Sequence, residues 1–394
     1  MRTTPGTVIP TQRQLVLPML DVIASAGGAA STAVIQDSVA TALRLAPAAR
    51  QRRVTIGGQD HNALGHRIRW AQQHAKLAGL VEREHGAWRL TTAGQGHLTR
   101  CLPGRPLTIF VTADGCALWA MAEDAADIID HGSVRLLLTS PPYPLNSRKA
   151  YGNVSAPAYV DWLCALIERL MPVMQTKGSL VINTGDVWCR GTPTVSTYQE
   201  RLLIALQDRL GLHLCQRLLW QNTSALPVPS NYVGVERIRL KNSIENLLWL
   251  SPDPRPYADN RAILDPYSDS MRSLLDAGGA KRSKHPSGHA QRPGSFSIDN
   301  GGSIPANNFR IANSGDQAYT AACRAAGLPP HPARMPIALA HKMIAFLTQP
   351  HDLVFDPFAG SGTTARAAET LGRRWITTEA VREYIEGSRL RFAA

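Results

Sequence analysis

The sequence predicts an α/β protein: a doubly wound, Rossmann-like parallel sheet, preceded by a small helical domain and interrupted by an irregular region. Three stretches carry that prediction. Near the C-terminus the apolar run Asp352-Leu353-Val354-Phe355 enters Asp356-Pro357-Phe358-Ala359-Gly360-Ser361-Gly362-Thr363-Thr364, and a helix-like run from Ala365 to Leu371 follows. Strand, glycine turn and helix in this order make a pocket for an adenosine-type ligand at the sheet edge, with Gly360 and Gly362 permitting close approach or positive φ. The next strand, Trp375-Ile376-Thr377-Thr378-Glu379, ends in a carboxylate placed to accept hydrogen bonds from ribose hydroxyls. Much earlier, Val134–Leu138 runs straight into Thr139-Ser140-Pro141-Pro142-Tyr143. Two prolines end a central strand because neither can donate a ladder hydrogen bond. They leave a stiff turn with a hydroxyl, free carbonyls and an aromatic ring at the carboxyl edge, where α/β sites collect. Alone, that turn reads equally as a proline-stopped loop.

With 394 residues, 44% of them hydrophobic, the chain has room for two or three ordinary cores. No apolar run reaches membrane-spanning length and the N-terminus lacks a signal-peptide core, so a cytoplasmic protein with no membrane contact is expected. The six cysteines are far apart, offering neither a metal cluster nor a disulfide framework. A net charge of +12 favours a polyanionic partner.

Taken in order, residues 1–10 read as an unstructured leader. Leu15, Met19 and Ile23 then recur at helical spacing up to Gly27-Gly28, and Ser31 offers an N-cap for a second helix to about Leu45. After the basic connection Arg50, Arg52, Arg53, a third helix is expected from Asn62 to Ala78. Its inner face is Leu64, Ile68, Ala71, Ala75 and Ala78, and its outer side carries Arg67, Arg69 and Lys76, types that contact phosphates and base edges. Two short strands around His85-Gly86 make a hairpin. Three helices and a hairpin describe a winged helix over residues 1–100, a DNA-docking or a packing module.

Cys101–Pro106 reads as a linker and Leu107–Val111 as a strand ending at Ala113-Asp114-Gly115. Leu118–Ile129 is expected as a helix, Tyr159–Met174 as another, Ser179–Asn183 as a strand and Val195–Leu210 as a helix. Leu212–Trp220 and Ile244–Leu250 read as strands, and Met335–Leu347 as the helix before the glycine turn. The stretches 221–241 and 253–330 lack periodicity and are rich in Pro, Gly, Ser and Asn. Their most basic part holds Lys281, Arg282, Lys284 and Arg292 without an acid, as a loop ordering around a nucleic-acid backbone would.

Ser-Pro-Pro-Tyr together with Asp-Pro-Phe-x-Gly-x-Gly resembles the β-class amino-methylating DNA methyltransferases, in their circularly permuted order, and most nearly the PvuII-type N4-cytosine enzymes. The resemblance extends from Leu107 to Phe392 through Tyr151-Gly152-Asn153, Tyr159-Val160-Asp161-Trp162, Pro266-Tyr267-Ser268-Asp269, Pro286-Ser287-Gly288-His289, Asp299 to Pro305 and His331-Pro332-Ala333-Arg334. The N-terminal domain, which is similar to that of Mrr-type restriction proteins, is an addition to that pattern.

The resemblance implies S-adenosylmethionine as cofactor and double-stranded DNA as partner. It also implies a monomer or homodimer and, in a restriction-modification setting, a cognate endonuclease. Asp356, Phe358, Gly360, Gly362 and Thr363 would form the turn around the cofactor's methionine part, Glu379 would hold the ribose, and Asp114 would reach the adenine amine. His331 and Pro332 would pack on the other side. Four segments follow: 1–100 for DNA docking, 107–220 with Ser-Pro-Pro-Tyr, 221–330 for target recognition, and 331–394 for the cofactor. Arg237 and Arg239 join the basic loop as DNA contacts. At Asn183 the family pattern leads one to expect Asp, which leaves that side chain without a clear role.

The exocyclic amine of cytosine is a weak nucleophile because its lone pair is conjugated into the ring. The Ser140 hydroxyl and the Pro141 carbonyl, stiffened by Pro142, are acceptors for its N–H groups, and Tyr143 would stack on the flipped base. Methylation at carbon 5 needs a cysteine that the related enzymes place after proline, and no Pro-Cys pair occurs. Ser140 favours cytosine N4 over adenine N6, which stays open, as does a DNA-binding regulator with a vestigial methyltransferase fold.

Overall fold

The computed structural model describes residues 8–145, 154, 156–281, 283–284 and 290–392. Tyr151-Gly152-Asn153, Arg282 and Pro286-Ser287-Gly288-His289 lie outside the described residues, as does the side chain of Lys284.

The N-terminal unit contains α1 (Val16–Ser25), β1 (Ala29–Ser31), α2 (Thr32–Ala42), α3 (Pro47–Gln51), β2 (Arg53–Ile56) and β3 (Gln59–Asn62). It continues with α4 (Ala63–Leu77), β4 (Val81–Glu84), β5 (Ala87–Leu90) and α5 (Thr92–Thr99). Ser31 caps α2 by accepting from the Val34 N–H at 3.3 Å, and Asn62 caps α4 through the Gly65 N–H at 2.8 Å. Leu64, Ile68, Ala71 and Ala75 form the buried face of α4, while Ala78 stands just beyond it, half-buried. His85 (φ 47°) and Gly86 (φ 82°) both take positive φ, as a two-residue type I′ hairpin requires. The expected hairpin gains β1 as a third strand, in the order β1-β5-β4. Three elements were not legible as such: α3, the β2–β3 hairpin and α5. The end of the expected leader is corrected as well, because Ile9 is buried in the core, while residues 1–7 lie outside the described residues.

The rest is built on one large sheet between helices, with a short strand pair separate from it. Its elements are β6 (Leu107–Val111), β7 (Gly115–Trp119), β8 (Val134–Thr139), α6 (Ala156–Leu170), β9 (Met174–Gly185), α7 (Tyr198–Leu210), β10 (His213–Gln221) and β11 (Ile244–Ser251). Then come α8 (Asp269–Asp276), the short pair β12 (Ser283–Lys284) and β13 (Ala290–Gln291), β14 (Asn308–Arg310) and α9 (Gln317–Ala325). The chain closes with α10 (Ile337–Leu347), β15 (Leu353–Asp356), α11 (Thr363–Thr370), β16 (Arg374–Glu379) and α12 (Arg382–Ser388). Nine strands order as β14-β10-β11-β9-β8-β15-β16-β7-β6, parallel from β9 through β7.

Alternation along the strands sorts the two faces. Leu136, Leu138, Val181 and Val354 join Leu339, Met343 and Ile344 of α10 in one cluster. Leu137, Leu180, Ile182 and Phe355 join Tyr159, Leu163, Leu202 and Leu206 of α6 and α7 in the other. The chain leaves β8 toward β9 on one side and β15 toward β16 on the other, although β8 and β15 are neighbours. This is a topological switch point, where an open α/β sheet forms its crevice.

Residues 115–119 overturn the helix expected from Leu118. Ala117, Leu118 and Trp119 are at most 5% exposed in β7, and the sheet outweighs their helical propensity. A Cβ on Gly115 would stand 2.2 Å from the Trp375 carbonyl oxygen, so only glycine allows that pairing. The helical turn that does form spans Ala122–Asp127. The irregular region also holds more structure than its periodicity predicts, namely α8, β14 and α9.

Candidate active site

One cavity of about 660 Å³ opens at the carboxyl ends of β8, β15 and β16. Asp356, the last residue of β15, is buried and accepts from the Thr139 hydroxyl at 2.8 Å, the Thr364 hydroxyl at 2.7 Å and the Phe358 N–H at 3.0 Å. It thereby ties the end of β8 to the start of α11. Burial pushes its carboxyl up to about 6, against the pull of those three donors.

Beyond it the turn takes positive φ at Gly360 (49°) and Gly362 (73°). A Cβ on Gly360 would lie 3.2 Å from the His331 ring, and one on Gly362 would lie 2.8 Å from the Ser388 Cβ. Glu379 closes this side: its two oxygens accept from the Gly360 and Val381 N–H groups, each at 2.8 Å. Burial pushes this carboxyl up to about 7, with the Asp356 charge adding to the rise. His331 packs edge-on against Tyr384, ring centroids 4.5 Å apart, and its imidazole is held down at about 4 by burial.

The other end of the cavity is walled by Ser140, Tyr143, Asn183, Glu245 and Trp220. The Tyr143 hydroxyl donates to Glu245 Oε2 at 2.8 Å, lies 3.4 Å from Ser140 Oγ, and accepts from Asn183 Nδ2 at 3.1 Å. Burial raises the Tyr143 phenol well above its ordinary value. Gly185 makes room for the ring, because a Cβ there would meet the Tyr143 Cε2 at 2.8 Å.

Ser140, Pro141, Pro142, Tyr143, Asp356, Phe358, Gly360, Thr363, Glu379, His331 and Pro332 therefore share one cavity, and Gly362 holds its turn from behind. Asp114 does not join them. It sits in the turn between β6 and β7, its carbonyl accepting from the Trp375 N–H at 3.0 Å, at the start of β16 and across the sheet from Glu379. Because β6 runs antiparallel to β7, its end faces away from the crevice. The segment that reaches the cavity is instead Met121-Ala122-Glu123, after β7.

A profile described as DNA methylase matches residues 134–389. This chain belongs to the DNA methylase family. The Mrr N-terminal domain matches residues 13–100. The chain is 36% identical over 286 residues to the type II methyltransferase M.PvuII of Proteus hauseri, a match covering 72% of this chain and 85% of that protein. It is 26% identical over 260 residues to the DNA adenine methyltransferase YhdJ of Escherichia coli (strain K12), covering 64% and 74%. Among solved structures, the PvuII DNA methyltransferase (cytosine-N4-specific) aligns with a TM-score of 0.58 at 31% identity, over 72% of this chain and 87% of that one.

Two residues of this methylase cavity gain a place that the sequence did not give them: Asn183, left without a role there, and Glu245, which was not singled out. Asn183 has a defined place, donating to both Tyr143 and Glu245 (2.8 Å to Glu245 Oε2). Glu245 carried only a weak signal, an acid near the start of a strand that is buried from Leu247 onward. Of the basic residues, Arg69 and Lys76 are exposed on α4, and Arg237, Arg239, Lys281 and Arg292 are exposed in the irregular region. Arg67 is corrected: it is half-buried and donates to the backbone carbonyls of Ile9 and Pro10, so its charge is spent inside the fold. Arg239 also donates to the Pro193 carbonyl at 2.9 Å but, unlike Arg67, stays exposed. No helix among the described residues is long and apolar enough to cross a membrane.

Proposed function

We propose that the protein transfers a methyl group from S-adenosylmethionine to the exocyclic N4 amine of cytosine in a short duplex DNA target. One observation carries this: the glycine turn with its carboxylate and the Ser140–Tyr143 turn open into a single cavity across the β8/β15 switch point. The donor set fits the cofactor. Glu379 keeps lone pairs free for ribose hydroxyls after its two backbone bonds, and no Cβ crowds the turn at Gly360.

The cofactor supplies an electrophilic methyl group when bound. Asp356, Phe358, Gly360, Gly362 and Thr363 would form the turn that holds its methionine part, and His331 with Pro332 would pack on its other side. Ser140 and the Pro141 carbonyl accept the amine N–H groups, which frees the nitrogen lone pair for attack. Tyr143 stacks on the flipped base, whose extrusion costs roughly a few kcal/mol. Arg69, Lys76, Arg237, Arg239, Lys281 and Arg292 supply phosphate and base contacts. Residues 1–100 dock DNA, 221–330 read the target, and 107–220 with 331–394 form the two halves of the transferase. The protein acts in the cytoplasm as a monomer or homodimer, alone or beside a cognate restriction endonuclease.

The homology to M.PvuII supports cytosine over adenine. Ser140→Ala tests the catalytic assignment against a DNA-binding regulator. The expected result is loss of about 10²-fold in transfer rate with duplex affinity retained. Unchanged transfer in that variant would count against the site.

A further inference from the structure

The Ser140–Tyr143 turn does not stand alone; it ends a hydrogen-bonded chain that begins at Glu245. Glu245 lies near the start of β11, opposite Gly185, and Asn183 lies two residues back along β9 on the same face. Glu245 Oε2 accepts from the Tyr143 hydroxyl and from Asn183 Nδ2, both at 2.8 Å. A carboxylate only accepts, so these two bonds decide the direction of all the others. Tyr143 has one hydroxyl hydrogen, and it goes to Glu245. The Tyr143 oxygen is then left to accept, from Asn183 at 3.1 Å and from Ser140 at 3.4 Å. The Ser140 hydrogen accordingly points into the chain and its lone pairs face the cavity, where an amine N–H needs an acceptor. The Asn183 amide is oriented by the same rule, because the opposite orientation would set its oxygen against a carboxylate. Its Oδ1 is buried with no hydrogen-bond partner among the described residues, so the amide is held by the chain alone.

We propose that Glu245 is a positioning residue for methyl transfer: acting through Tyr143, it fixes Ser140 as an acceptor toward the target amine. This rests on the proposed function above and deepens it. Protonation of Glu245 removes the constraint. Its O–H would donate to Tyr143, Tyr143 would donate to Ser140, and the Ser140 hydrogen would turn onto the amine. Burial raises the Glu245 carboxyl above the usual range, with Asp186 adding to the rise. The groups facing it are Tyr143 from the β8 turn, Asn183 and Asp186 at the end of β9, and Tyr198 at the start of α7. None is a cation; only the hydrogen bonds from Tyr143 and Asn183 pull the other way, and burial outweighs them.

The test is Glu245→Gln in the full-length protein. Single-turnover transfer at saturating cofactor is followed from acid to alkaline pH, with cofactor affinity by calorimetry, duplex affinity by anisotropy, and melting of the cofactor-free protein. We expect transfer to fall about 10²-fold, the acid limb of the rate profile to vanish, and both affinities to stay within about two-fold. Without cofactor, the wild type should gain stability relative to Glu245→Gln as pH falls, since a raised carboxyl favours the folded state in acid. The double variant Asn183→Asp, Glu245→Gln, which moves the carboxylate to the neighbouring strand, should recover about 10-fold of the loss. Wild-type transfer with an unchanged acid limb in Glu245→Gln overturns the proposal, and so does a rate loss matched by an equal loss of cofactor and duplex affinity. If Glu245→Gln fails to fold, Tyr143→Phe cuts the same chain, and an acid limb surviving in that variant is equally fatal. A wild-type product of N6-methyladenine defeats the cytosine assignment while leaving the Glu245 comparison readable on that amine. A wild type that methylates no base overturns both.

Discussion

Glu379 fastens the fold and, in the proposed reaction, also holds the cofactor. Its oxygens fasten the glycine turn through Gly360 and the chain after β16 through Val381, yet keep lone pairs for a ligand. Ribose hydroxyls donate best to the ionised form, and burial places ionisation at about 7. Cofactor affinity should therefore rise as pH climbs through about 7, and Glu379→Gln should flatten that rise. The same substitution should weaken binding by about 10- to 100-fold, the worth of a hydrogen bond to a charged group, as calorimetry would read. Stability runs the other way. With its folded value raised, the Glu379 carboxyl favours the cofactor-free fold below its unfolded value near 4.5 and loses that contribution as pH passes about 7. Arg67 shows where single residues mislead. Its place on the outer side of a basic helix was legible, but the carbonyls of Ile9 and Pro10 that claim its guanidinium lie in a segment without periodicity. Arg67→Ala should accordingly lower the melting temperature without changing the salt dependence of DNA binding.

Among the elements, strands carrying both an apolar run and a turn signal were legible: β8 with its diproline, β15 with its glycines and β16 with its terminal acid. They were legible because one local chemical requirement, the end of a strand at the crevice, is written in consecutive residues. β7 was not, because Leu118 and Trp119 read as the start of a helix, a reading that loses to pairing with β16, a partner more than 250 positions away along the chain. That single miss also displaced Asp114 from the site. Glu245 was illegible for a related reason: its partner Asn183 is set by the β9/β11 register, not by spacing along the chain. Register sets Gly185 beneath Tyr143 in the same way. Gly185→Ala would drive a Cβ to 2.8 Å from that ring. Overpacking of this kind costs about 1–3 kcal/mol, and the ring must shift. Methyl transfer should drop while cofactor affinity holds, a split visible in single-turnover rates against calorimetry.

At the scale of the whole molecule, the N-terminal domain and the sheet share a hydrophobic cluster. Leu15, Met19 and Ile23 belong to it together with Leu107, Phe110 and Trp119. The His97 and Trp119 rings stand 4.7 Å apart, and Arg382 forms a two-pronged bond to Asp21 at 2.9 and 2.6 Å. Removing residues 1–100 would expose the β6 edge, so DNA docking is better tested by substitution than by truncation. Arg69→Ala and Lys76→Ala should each weaken duplex binding across sequences and reduce the salt slope by about 1, with cofactor affinity unchanged. A slope that does not move would take that helix off the DNA. Asp21→Ala should cost about 1 kcal/mol or less, because the pair is only partly withdrawn from water.

Nucleoside chemistry reads directly which atom receives the methyl group. Duplex DNA is incubated with the protein and isotopically labelled S-adenosylmethionine, digested to nucleosides, and resolved by mass spectrometry. Label in N4-methylcytosine is the predicted result, and label confined to N6-methyladenine, or none in any base, contradicts it.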